Sequence, residues 1–272
     1  MKYKIMVFDL DGTLTNSEKK ITPYTKEVLL RYQQSGGRVV LASGRPTYGV
    51  APLGEELKLA EYGGFLLSFN GGKITDCSSN KAVYEKALDR GQVHRAYALS
   101  KKYQTAILTY QDELLITETP EDIYVQKESK INHMDVKKVE ALTEYVDFPV
   151  TKCLMTAHAH HLAQAEPKIC SELGPGFSVY RSEPYFLEIM PENIDKAASL
   201  QRLLELLGMN RESMAAFGDG YNDKSMIAFA GLGVAMRNAQ EAVKAAADRV
   251  TLSNDNEGVA YMVNKLMEED AE

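Results

Sequence analysis

Four short apolar runs, each ending abruptly on a polar residue or a glycine pair, constrain the fold more than any other feature of the chain. KIMVF (residues 4–8) runs into Asp9 and RVVLA (38–42) into Ser43. GFLLSFN (64–70) meets a Gly-Gly pair, and MAAFG (214–218) ends at Asp219. Runs this short and this continuously apolar suit strands buried on both faces. Amphipathic stretches lie between them. The spacing predicts a helix from Pro23, with Thr22 as N-cap, Val28, Leu29 and Tyr32 on its inner face, and Gly36-Gly37 as its stop. Further helices are predicted over 46–59, over 196–210 with Gly208 as terminator, and at the C-terminal end. There Val259, Met262, Val263 and Leu266 recur at core-facing spacing. Asn238 and Glu241 have the spacing of a capping box. Strands that alternate with helices predict a parallel, Rossmann-like α/β sheet.

The texture changes between residues 82 and 189. AILTYQDELLITE (106–118) alternates about a Gln-Asp turn and predicts a hairpin. The apolar residues Val136, Val139, Leu142 and Val146 predict a helix over 135–146. KCLMTA (152–157) and FSVYRSEPYFLEI (177–189) read as strands, the second turning at Ser182-Glu183-Pro184. The expectation is a discontinuous α/β core, 1–81 with 190–272, interrupted by an inserted α+β domain over 82–189.

Charge and cysteine usage narrow the partners. A net charge of −7 with scattered basic residues argues against a nucleic-acid surface, which needs clustered Lys and Arg. Cys77, Cys153 and Cys170 are odd in number and widely spaced, so free thiols in a reducing compartment are expected. No apolar run approaches the roughly 18 residues that span a bilayer. A cytoplasmic protein acting on a small ligand, with no nucleic-acid or membrane partner, is the expectation, as a monomer or weak homodimer. In TAHAHH, strand alternation would put His158 and His160 on one face, but no third ligand is evident, and a polar strand end is the simpler reading.

The polar residues that end the runs carry the chemistry. In open α/β sheets, ligands bind outside the carboxyl ends of the strands. Asp9 and Asp11, Ser43 with Gly44, and Asp219 with Asn222 and Asp223 all fall at such ends. Carboxylates gathered there would repel one another unless a hard divalent cation such as Mg²⁺ sat among them. Each piece alone has a plainer reading. D-x-D-G suits a turn after a strand, Ser43-Gly44-Arg45 suits a strand-to-helix turn, and Asp223 suits an N-cap for SMIAFA. Lys196 stands in the first turn of a predicted helix, where the dipole disfavours a cation. Its functional reading is an ammonium directed at an anion near the helix terminus.

The order DLDGTL, LASGR, a lysine opening a helix, then GDGYND resembles the haloacid dehalogenase superfamily of phosphotransferases. FNGG after the third strand, and an α+β insert between the serine and lysine motifs, narrow the resemblance to the Cof-type phosphatases with a large cap. Ala197 stands where that family usually has glycine after the lysine. The resemblance implies that Asp9 is the nucleophile and Asp11 the acid/base, holding a proton as substrate binds. It further implies Mg²⁺ on Asp9, the Asp11 carbonyl and Asp219, with Asp223 behind the metal. Ser43 and Lys196 would contact the phosphoryl oxygens, and Asn222 would orient that group or the lysine. Gly12 and Thr13 would let backbone N–H groups approach, and the insert would close over the site and choose the substrate. The implied activity is hydrolysis of small phosphorylated metabolites, sugar phosphates foremost. The alternatives are a phosphohexose mutase and a non-catalytic phosphometabolite-binding module.

Overall fold

The computed structural model describes residues 1–270 and divides into two compact units. The first takes residues 1–84 and 195 onward; the second takes 85–194. In the first unit the strands are β1 (Ile5–Phe8), β2 (Arg38–Ala42), β3 (Phe65–Ser68), β4 (Lys73–Asp76), β5 (Lys81–Glu85), β6 (Met214–Gly218), β7 (Leu232–Ala235) and β8 (Arg249–Val250). They form one sheet in the order β8-β7-β6-β1-β2-β3-β4-β5. Neighbours from β8 to β3 are parallel, and β4 returns antiparallel to β3. Every residue of β1, β3 and β6 is buried, as continuous apolar runs require when helices cover both faces.

The connectivity places the site. From β1 the chain steps outward through β2 to β3, whereas β6, β7 and β8 step outward on the opposite side. The order therefore reverses between β1 and β6, which lie side by side with Phe8 opposite Phe217. Their next residues, Asp9 and Gly218-Asp219, share one rim although about 210 positions separate them in sequence.

The helices follow their sequence signals. Pro23–Gln34 begins where the Thr22 hydroxyl accepts from Thr25 N (3.1 Å), and it buries Val28, Leu29 and Tyr32. Each such fully buried aliphatic side chain contributes roughly 1.5–3 kcal/mol. Lys196–Leu207 ends at Gly208 in the left-handed conformation (φ +62°). Gly258–Glu269 buries Val259, Met262, Val263 and Leu266. The helix expected over 46–59 runs Thr47–Glu56 and restarts at Leu59–Tyr62 after Lys58 turns left-handed. Asn238 makes no capping box: the single-turn helix Glu241–Lys244 starts at Gln240. The Asn238 amide instead donates to Gly12 O (2.8 Å), and its oxygen accepts from Asn254 N (3.1 Å).

The second unit is a six-stranded sheet. Ala106–Gln111 and Leu114–Thr117 form the expected hairpin, Cys153–Thr156 lies beside Ala106–Gln111, and Phe177–Glu183 pairs antiparallel with Phe186–Pro191. Residues from the helices Arg90–Lys102 and Ala159–Leu173, including Val93, Leu162 and Ile169, share one buried cluster with Ile107, Met155 and Leu187 of the sheet. Two expectations fail here. The stretch 135–146 is not one helix: Asp135–Lys138 pairs parallel with Leu114–Thr117, and only Leu142–Tyr145 is helical. His133 turns left-handed after the helix Ile123–Asn132, and the sheet edge takes up the backbone groups that a helix would have used. The histidines of TAHAHH lie on no strand. His158 caps the helix Ala159–Leu173, His160 follows inside its first turn, and His161 Nε2 lies 2.7 Å from Tyr103 O. Among the described residues the cysteines are free, and no helix is long and apolar enough to cross a membrane.

Candidate active site

Asp9 leaves β1 with its N–H donating to Phe217 O (3.0 Å), and its carboxylate is buried. Lys196 reaches it from the first turn of its helix. The ammonium donates to Asp9 Oδ1 (2.7 Å), Asp223 Oδ1 (2.6 Å) and Ala42 O (2.9 Å). Three donors meet three acceptors, so the lysine is neither solvated nor extended over the rim; it ties the ends of β1 and β2 to the loop after β6. Asp195 caps that helix by accepting from Ala198 N (3.1 Å), a carboxylate at the end the dipole favours.

The GDGYND loop is built around Asp223, which is fully buried. Its Oδ2 accepts from Asp219 N (3.0 Å) and Gly220 N (2.9 Å) while Oδ1 holds Lys196. It does not cap SMIAFA with its side chain. A Cβ on Gly218 would lie 2.4 Å from Asp223 Cβ, so only glycine lets the chain fold over this carboxylate. Gly12 has the matching role opposite. Its φ is +88°, and a Cβ there would lie 2.4 Å from Asp219 Oδ2. Thr13 is buried, and its hydroxyl donates to Asp219 Oδ1 (2.7 Å).

Carboxylate oxygens of Asp9, Asp219 and Asp223 lie within 4.8 Å of one another. Burial, then the charge of Asp223, pushes Asp9 up to about 8 despite Lys196 beside it. Burial also lifts Asp219, to about 6, although the Thr13 hydroxyl opposes the rise. Burial works against the Lys196 charge, but Asp223 and Asp9 outweigh it and raise the ammonium. Three carboxylates around one ammonium leave an excess of negative charge. An all-oxygen donor set with that excess suits a hard divalent cation. Both Asp223 oxygens are engaged, so Asp9 and Asp219 are the side chains that could hold it.

The Asp11 side chain is outside this cluster. Arg45 grips it with Nε (2.9 Å) and Nη2 (2.6 Å), and Lys19 Nζ adds a third contact (2.8 Å). Burial alone would raise its carboxyl, but Arg45 and then Lys19 outweigh burial and hold it below the usual range. The proton expected on Asp11 is therefore disfavoured in this arrangement. Ser43 is buried at the end of β2, and its Oγ accepts from Arg45 N (3.1 Å). A Cβ on Gly44 would lie 3.1 Å from Asn70 Nδ2. Asn222 does not orient Lys196; its amide donates to Asn70 Oδ1 (3.0 Å).

The sequence profile of the haloacid dehalogenase-like hydrolase family matches residues 6–263, which take in every residue of this rim. The chain belongs to that family, in its Cof-type branch. A haloacid dehalogenase-like hydrolase from Bacteroides thetaiotaomicron is 49% identical and superposes with a TM-score of 0.94, covering 97% of this chain and 100% of that one. The Bacillus subtilis 5-amino-6-(5-phospho-D-ribitylamino)uracil phosphatase YcsE is 31% identical over 96% of this chain and 94% of its own length. Phosphatase YwpJ of the same organism is 30% identical over 97% and 100%. The hydrolase is thus an enzyme of the phosphatase kind.

Three residues of the hydrolase's rim escape a motif-by-motif reading. Arg45 was legible in SGR, but nothing local says that its partner is Asp11. Lys19 lies beyond the DLDGTL motif and reads as a surface lysine. Asn70 lies in FNGG, and its left-handed backbone (φ +53°) is the kind of conformation Asn-Gly signals.

Proposed function

We propose that this enzyme hydrolyses phosphate monoesters of small polyhydroxylated metabolites, sugar phosphates foremost, with Mg²⁺ and through an aspartyl-phosphate on Asp9. The observation that carries the reading is the Asp9 carboxylate itself, buried at a strand end, held by Lys196 and facing Asp219. The substrate class draws support from YcsE, whose name specifies a phosphorylated ribityl chain.

In the first half-reaction an Asp9 oxygen attacks phosphorus, the bond to the leaving oxygen breaks, and Asp11 delivers a proton to that oxygen. To do so Asp11 must exchange Arg45 and Lys19 for the substrate. In the second half-reaction water attacks the acyl phosphate, the bond to Asp9 breaks, and the water's proton returns to Asp11. Ser43 and Asn222 contact the phosphoryl oxygens, and Lys196 keeps Asp9 aimed. Mg²⁺ on Asp9, the Asp11 carbonyl and Asp219 would offset the charge of the phosphoryl group.

The test is phosphate release from a panel of phosphorylated metabolites, with Mg²⁺ and then with excess EDTA. Chelation is expected to lower the rate by at least about 100-fold, in line with the several kcal/mol a Lewis-acid ion supplies. Hexose and pentitol phosphates are expected to rank above nucleotides. Undiminished turnover in EDTA would remove the metal from the account, and a hexose phosphate isomerised without phosphate release would make the enzyme a mutase.

A further inference from the structure

Phe69, Asn70 and Gly71 follow β3 with φ of +52°, +53° and +101°, three consecutive residues in a conformation that L side chains rarely adopt. A bulky residue such as phenylalanine is an outlier there, and such strain persists only where the surroundings over-determine it. Here they do. Phe69 N donates to Arg45 O (3.0 Å) and Asn70 N to Ser43 O (2.9 Å), so the strained turn is fastened along the Ser43-Gly44-Arg45 segment. Gly71 O accepts from the Ser199 hydroxyl (2.6 Å) in the helix that carries Lys196, and a Cβ on Gly71 would lie 2.6 Å from that hydroxyl. Asn70 is 7% exposed, and its side-chain oxygen accepts from the amide of Asn222 in the loop after β6. One asparagine thus joins the ends of β2 and β6 through two different groups, backbone to Ser43 and side chain to Asn222.

We propose that Asn70 is a positioning residue for phosphoryl transfer, which fixes Asn222 relative to the Ser43 turn so that both meet one phosphoryl group. The proposal rests on the phosphatase reading above. Asn70 makes no contact with the reacting atoms in this scheme. The strain of the left-handed turn is retained because a relaxed loop would carry the Asn70 carboxamide away from Asn222. Misplacing a positioning group by an ångström or so can lower a rate by about 100-fold.

The experiment compares Asn70→Gly and Asn70→Asp with the parent, measuring kcat, KM and Tm with a generic aryl phosphate and Mg²⁺. Glycine accepts the left-handed backbone and keeps the N–H to Ser43, so it removes the carboxamide alone. The expected result is a fall in kcat of about 10- to 100-fold with little change in Tm. Asn70→Asp keeps an acceptor for Asn222 and is expected to recover most of that loss. In the background of Asn222→Ala, adding Asn70→Gly is expected to lower kcat by less than about threefold, because the two residues act as a pair. Asn70→Gly with a parental kcat, or losses that multiply in the double variant, would overturn the proposal. A lowered Tm with unchanged kcat would do the same and leave Asn70 a structural residue. Asp9→Asn, run in parallel, separates the levels: its full activity would sink the phosphatase reading, whereas its inactivity beside an active Asn70→Gly would sink this inference alone.

Discussion

Replacing Asp9 by asparagine is expected to lower phosphate release by on the order of 10⁴-fold or more, because the substitution removes the attacking oxygen and leaves the rest of the rim in place. Asparagine matches aspartate in shape, and its carboxamide oxygen can still accept from Lys196. The fold should therefore persist: burial pushes the Asp9 carboxyl up to about 8, so a neutral side chain is no burden at this position. Steady-state release from an aryl phosphate, together with a thermal melt, checks both halves. A variant that melts normally and turns over at the parental rate would move the nucleophile elsewhere.

Lys196→Met is expected to have the largest effect on stability. The ammonium is buried and donates to two carboxylates and a carbonyl, and methionine leaves all three without that donor. Removing one partner of a buried ion pair destabilises by about 3–5 kcal/mol. The loss should depend on pH in a definite direction. Asp9 already has a raised pKa, and without the ammonium its carboxyl rises further. A group raised in the folded state stabilises at low pH, and that contribution disappears as pH climbs through its folded pKa. The gap in Tm between parent and variant should therefore stay level up to about pH 7 and widen from there to about pH 9, where Asp9 ionises in the parent but keeps its proton in the variant. Melts across that range check it; a gap that is constant or narrows would mean that the lysine does not neutralise these carboxylates. Turnover of the variant should fall as well, since the Asp9 carboxyl would be held still more firmly in its protonated, non-nucleophilic form.

Much of the first unit is legible in the sequence. The strands announced themselves as apolar runs, and the residues that end them are the ones that meet. This legibility has a physical source: in a parallel sheet strand direction is shared, so the carboxyl ends of neighbouring strands must lie on one rim. Register finished the work, setting Phe8 opposite Phe217 and so Asp9 beside the Asp219 loop.

What was hidden is mostly long-range hydrogen bonding. Asp223 suits an N-cap by local reasoning, but its oxygens go to Lys196 and to two backbone amides. Asn238 suits a capping box, yet it bridges Gly12 and Asn254. Asp11 was expected to hold a proton, and its two cationic partners favour the opposite charge state. Arg45 is 34 positions away from it in the chain, too far for any local pattern to reveal. In the second unit, 135–146 misled because four residues of strand and four of helix can share one apolar spacing.

Acid quenching within a single turnover, followed by mass analysis of the peptide that carries residue 9, tests the core of the account most directly. A phosphoryl group on the Asp9 carboxyl, appearing before free phosphate and vanishing as it is released, is the expected result. Phosphate formed at full rate with Asp9 unmodified at every quench time, or the phosphoryl group recovered on another side chain, would contradict it.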